Sequence, residues 1–151
     1  MRSIISLLCL VHGFVLASED PALMETAKRL HMPIEVVRPH HLSGCDSGRP
    51  NEQFICGNYG LIKEDLELNR VYGVLKSELK DKESLSKLAS AQRAWIAFRD
   101  EACLFEADGY SQSRDLGSVM ASCKAEYTKA RSERLKVFLG CGELYGCPGY
   151  K

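Results

Sequence analysis

Six cysteines, Cys45, Cys56, Cys103, Cys123, Cys141 and Cys147, follow an N-terminal apolar run that contains a seventh, Cys9. An even count in an exported chain of this size implies a disulfide framework, and such a framework constrains the fold more than any other feature of the sequence. Six cysteines allow fifteen connectivities, and spacing alone does not choose among them. Proximity and helical pattern favour Cys45–Cys56, Cys103–Cys123 and Cys141–Cys147, each worth roughly 3 kcal/mol in the chain-entropy view of a crosslink.

The export reading rests on residues 1–17. Met1 and Arg2 give a positive start, Ile4 to Val11 an apolar run, and Val15, Leu16 and Ala17 compact residues before a cleavage expected ahead of Ser18. The run is too short to span a bilayer, and no later stretch nears the ~20 apolar residues a span needs. Leu7 and Leu8 ahead of Cys9 lack the small residues that lipoprotein processing prefers. The remaining chain carries nineteen basic and twenty acidic side chains, a net charge of about −1. Such a balance gives no bulk field for nucleic acid or an anionic membrane, so neither is expected as a partner.

The periodicity predicts an all-α fold, a small disulfide-stapled antiparallel helical bundle with an irregular N-terminal arm (18–44), a helical domain (45–139) and a disulfide-closed tail (140–151). In the arm, Asp20 and Pro21 start a short helix, Ala22 to His31, that Pro33 ends, and Ile34 to Val37 reads as an extended stretch. Asn51 caps a turn over Glu52 to Cys56, and Gly57-Asn58-Tyr59-Gly60 reads as a break before a helix from Leu61 to about Leu79. In that helix Leu61, Leu68, Tyr72, Leu75 and Leu79 form the stripe, with Asn69 beside Tyr72. Gly73 either weakens it or admits a close neighbour.

The segment Leu85 to Ala107 is read as the central helix. Leu85, Leu88, Gln92, Trp95, Arg99, Ala102 and Glu106 share a face, flanked by Ala91, Phe98 and Phe105. The short connection at Lys80 to Lys82 predicts that it packs antiparallel on the preceding helix. It ends near Gly109, a suitable left-handed cap. A third long helix then carries Leu116, Met120, Cys123, Tyr127, Ala130 or Arg131, Arg134 or Leu135, and Phe138 on its stripe. Folding back at a polar tip, Tyr110 to Ser113, would bring Cys103 to Cys123, provided their Cα atoms lie within ~7 Å.

Two strings then point outside the chain itself. Q-x-x-W-x-x-x-R-x-x-x-C in QRAWIAFRDEAC, followed by C-x4-T-x2-R-x3-L through YTKARSERL, is a combination that generic helix packing does not demand. With EQFIC at Cys56 and DLELNRVYGVL with Asn69 and Tyr72, the stretch from Cys45 to Leu139 resembles the LprI-like lysozyme inhibitors of bacteria. The resemblance implies a disulfide-bonded helical domain of the periplasm or cell envelope that blocks lysozyme. The same architecture would serve an immunity protein against an interbacterial amidase, muramidase or lipase, or a structural envelope module.

The interior-facing register of Gln92, Trp95, Arg99, Thr128 and Arg131 favours a structural polar network over a recognition surface, because buried polar groups find partners. The candidate partner-binding residues are Glu101, Glu106, Asp108, Asp115 and Tyr110 at the hairpin tip, an acidic, aromatic-bearing end suited to a cationic enzyme's cleft. A solvated helix end is the competing account. His31, His40 and His41 lack ligand spacing, so no metal and no cofactor are expected. Ser118 lacks a G-x-S-x-G elbow, and Asp100 and Glu101 face different sides of a helix, so the chain reads as a binder and not an enzyme.

Overall fold

The computed structural model describes residues 19–139 and 141, and every regular element among them is a helix. The expected signal at 1–17 and the Cys141–Cys147 closure, which needs Cys147, lie outside the described residues. Helix α1, Pro21–Arg29, is followed by a single turn, α2, Ile34–Val37. Helix α3 runs from Pro50 to Glu78, α4 from Lys82 to Glu106 and α5 from Leu116 to Leu139, with a 3₁₀ turn at Asp108–Tyr110 between the last two.

The local chemistry accounts for most boundaries. Asp20 caps α1 by accepting from the Ala22 amide at 2.8 Å, with Pro21 at the first position, where its missing N–H costs nothing. Asp81 caps α4 in the same way through Ser84. Gly109 lies within the 3₁₀ turn and does not supply the left-handed cap expected of it. Among non-glycine residues described, His31 takes that conformation (φ 53°) just past α1.

Three expectations are corrected. Ile34–Val37 is helical, because Pro33 starts a turn and Val37 is fully buried. Gly57 to Gly60 do not break the chain, so α3 is one helix that starts at Pro50, with Arg49 and not Asn51 at its N-cap. Asn58 donates back to the Phe54 carbonyl and stays in register, and Tyr59 is buried with its hydroxyl on Asp20 at 2.6 Å. Gly57 is where α5 crosses: a Cβ there would stand 3.2 Å from the Ser118 carbonyl. Helical propensity lost at two glycines, about 1 kcal/mol each, is outweighed by tertiary packing.

The third correction concerns which helix is central. The closest packing is between α3 and α5, which run parallel: Gly57 meets Ala121 near their starts, and Leu75 packs with Leu135 near their ends. Small residues permit this approach. Ala121, Thr128 and Ser132 are buried on α5, and a Cβ on Gly117 would lie 2.9 Å from the Phe54 ring. The inward stripe of α5 is therefore Gly117, Ala121, Thr128, Ser132 and Leu135, while Cys123, Tyr127 and Arg131 turn toward α4. On α3, Ile62 and Val71 are buried where Leu61 and Tyr72 are only half-buried.

Helix α4 returns antiparallel, held further off by Trp95 and Arg99, and within it only Cys103 is fully buried. Phe98 and Phe105, expected beside its core stripe, are 58% and 83% exposed.

Two apolar clusters result. Ala22, Leu23, Ala27, Val37, Ile55 and Tyr59 join α1 and α2 to the first half of α3, so the N-terminal arm is part of the core. Leu68, Val71, Leu75 and Leu135, covered by Leu88, Trp95 and Phe138, fill the other half. Gly73 faces open space and admits no neighbour. The bridges Cys45–Cys56 and Cys103–Cys123, with Cα atoms 5.3 and 5.7 Å apart, tie the arm to α3 and α4 to α5.

Cys103→Ser is expected to remove about 3 kcal/mol of stability, a fall of roughly 10 °C in Tm that thermal denaturation followed by circular dichroism will read. Burial and the bond to Asp20 push the Tyr59 hydroxyl up from 10.0 to about 12. The stability this contributes is complete below the unfolded value and lost as pH rises through the folded one. Urea titrations between pH 9 and 12.5 should show that decline in the parent and a flatter profile in Tyr59→Phe.

Candidate functional site: a braced hairpin tip

The middle of the bundle positions the tip, and it is a polar layer built around the single tryptophan. Arg99 lies 5.1 Å from the Trp95 ring centroid and Arg131 5.8 Å. Arg99 donates to Thr128 Oγ1 at 3.1 Å and meets Asp65 of α3 at 3.5 Å and its neighbour Asp100 at 3.0 Å. Arg131 donates to Gln92 Oε1 at 3.1 Å. Gln92, Trp95, Arg99, Thr128 and Arg131 thus come together.

Asn69 and Tyr72 do not join them. Asn69 is exposed, and Tyr72 packs at the margin of the second apolar cluster.

Asp65 is the member that sequence reasoning missed. It also meets Arg29 at 3.3 Å, so one carboxylate on α3 links α1 to α4. Nothing in DLELNR distinguishes Asp65 from its acidic neighbours until the three-dimensional position of Arg99 is known. Burial opposes ionisation of Asp100, but Lys124, at 3.2 Å, and Arg99 outweigh it and hold the carboxyl below its ordinary range.

Toward the tip, the candidate residues divide. Glu106 accepts from the Tyr127 hydroxyl at 2.7 Å, and Tyr127 in turn meets Phe98 edge-to-face at 5.7 Å. Asp115 is tied to Ser113 at 3.2 Å in the turn that opens α5. These two acids brace the hairpin. Glu101, Asp108 and Tyr110 are exposed, Tyr110 by 45%.

Beside them stand two apolar residues that the sequence reading did not choose, Leu104 at 56% and Phe105 at 83% exposure. The signal for Phe105 was available. Once Cys103 is turned toward Cys123, a residue two positions on points about 200° away, at 3.6 residues per turn.

Residues Cys45 to Leu135 match the sequence model of a family described as Lysozyme inhibitor LprI. The chain belongs to that family. A protein of Rhizobium meliloti (strain 1021), described as uncharacterized, is 34% identical over 104 residues, covering 59% of this chain and 73% of the relative. No solved structure matches the chain. The LprI region takes in both described bridges, the Trp95 layer and the tip, and leaves out α1 and α2, which build the first apolar cluster.

His40, His41 and Ser118 are engaged in structure. His41 meets the Tyr59 ring edge-on at 4.8 Å, His40 lies 3.5 Å from Glu52, and Ser118 donates to the Asp115 carbonyl. No helix among the described residues is long and apolar enough to cross a membrane.

Arg99→Ala is expected to cost about 2 kcal/mol, because charge-assisted bonds and a ring contact are lost together, whereas exposed Asn69→Ala should stay within about 0.5 kcal/mol. Paired urea denaturation curves measure the difference.

Proposed function

We propose that this protein, exported to the periplasm or cell envelope, binds a cell-wall hydrolase of the lysozyme type and occludes its cleft without chemistry of its own. The observation that carries this reading is the tip, where Leu104, Phe105 and Tyr110 are presented outward on a helix end clamped by Cys103–Cys123 and flanked by Glu101 and Asp108. Family membership supports the target class.

Large apolar side chains exposed on a rigid support gain most from covering. Burial of a Leu or Phe is worth ~1.5–3 kcal/mol, and aromatic anchors dominate binding energies. Rigidity reduces the ordering cost of association, and the two outward carboxylates complement a cationic enzyme at close range. The near-neutral total charge adds little long-range steering, so affinity rests on contact at the tip. Glu106 and Asp115 act in this reading as braces and not as contacts.

Purified oxidised protein added to a muramidase assay on peptidoglycan should inhibit hydrolysis. Replacing Leu104 and Phe105 together by alanine should weaken inhibition by at least about tenfold, the loss of ~1.4 kcal/mol or more, with an unchanged Tm. Absence of inhibition at large molar excess over several lysozyme types would overturn the proposal, as would full inhibition by the double variant.

A further inference from the structure

At the end of α4 away from the tip lies a cleft of about 350 Å³ between the last turns of α3, the first turns of α4 and the last turns of α5. Leu75, Leu79, Leu88, Leu135 and Phe138 give it an apolar floor, and its size falls at the lower end of small-molecule sites, ~300–1,000 Å³.

Its α5 wall is cationic. Arg131 and Arg134 both line it, and among the described residues neither meets a carboxylate. Arg131 has the neutral Gln92 oxygen and the Trp95 ring, and Arg134 lies over Phe138 at 5.4 Å. The contrast with Arg99 is sharp, since that guanidinium has two acids. Burial pushes the Arg131 pKa down, the mark of a cation losing solvent without a counter-ion in return. Lys87 stands at the same rim, balanced by Glu83.

The half-buried guanidinium of Arg131, with the exposed Arg134 one turn on, above an apolar floor favours a ligand that brings its own anion and a hydrocarbon chain. We propose that this cleft binds a free fatty acid, its carboxylate on Arg131 and Arg134 and its chain along Leu75, Leu79, Leu88 and Phe138. A cleft this small admits one short chain. The site is separate from the tip, and the proposal stands whether or not the tip binds a hydrolase.

Dodecanoate below its micelle concentration is the probe, titrated into the oxidised protein by calorimetry and by the fluorescence of Trp95, whose ring touches Arg131. Saturable binding is expected, at least about tenfold tighter than that of dodecyltrimethylammonium, whose head group the two arginines repel. Arg131→Gln should weaken dodecanoate by about tenfold and leave dodecanol unchanged. Ala91→Phe, at the exposed lip of the cleft, should abolish calorimetric binding while Tm is retained, and keeps the test open if the Arg131 variant fails to fold. No binding, equal affinity for the cationic amphiphile or undiminished binding to Ala91→Phe would each overturn the proposal. So would a dimer that Ala91→Phe dissociates, because the occupant would then be a second copy of the chain.

Discussion

The close approach of α3 and α5 decides how everything else in this molecule is arranged. It is possible only because Gly57, Gly117, Ala121, Thr128 and Ser132 present so little side chain where the two helices meet. At such distances many weak dispersion contacts form at once. The two buried hydroxyls in the seam both have partners, Thr128 by accepting from Arg99 of α4 and Ser132 by donating to the Lys129 carbonyl of its own helix. Once α3 and α5 are joined, α4 lies over their shared groove, and its bulky Trp95 and Arg99 keep it at arm's length. A helix seated that way is buried along one narrow line and open on the rest of its surface. The exposed Leu104 and Phe105 follow from that seating.

The polar layer around Trp95 gives this loosely seated helix a single position. Hydrophobic contact alone would tolerate sliding, whereas Arg99 reaching Thr128 and Asp65 together, and Gln92 meeting Arg131, fix both register and rotation. Each half-buried guanidinium on its own would be a liability. Arg99 is balanced by carboxylates, while Arg131 is left with an amide and a ring, and the molecule therefore has different chemistry at the two ends of α4: acids and open hydrocarbon at one, unbalanced cations over an apolar floor at the other.

Much of this was legible in the sequence wherever the signal was local. Cys103 and Cys123 sit at equal reach from a turn, and Cys45 and Cys56 are near neighbours, so both bridges could be anticipated, as could the helical class from apolar spacing. The Trp95 layer was readable because its members repeat at three- and four-residue steps. What escaped was non-local. Gly57 and Gly60 look like a break until α5 is seen to press on the first of them. The role of α5 as the common neighbour was hidden because its two working faces, one of small residues and one of cysteine, tyrosine and arginine, blur any single apolar stripe. Tryptophan and leucine drew attention to α4, although glycine, alanine and serine mark the tighter contact.

Parallel pairing of α3 with α5 also sets an order of events during folding. Two parallel helices cannot zip up from a shared turn, and here the whole of α4 must be laid down before the residues that cover α3 exist as a partner. Gly57 waits for Ala121 and Leu75 for Leu135, contacts of long sequence separation whose loop-closure entropy is lost before any packing is gained. A chain emerging from its N-terminus therefore passes through a stage in which α1, α2 and the start of α3 can already condense around Val37 and Tyr59 while the far half of α3 stays bare. Among the described helices, α5 comes last in the chain and is the one that closes the bundle.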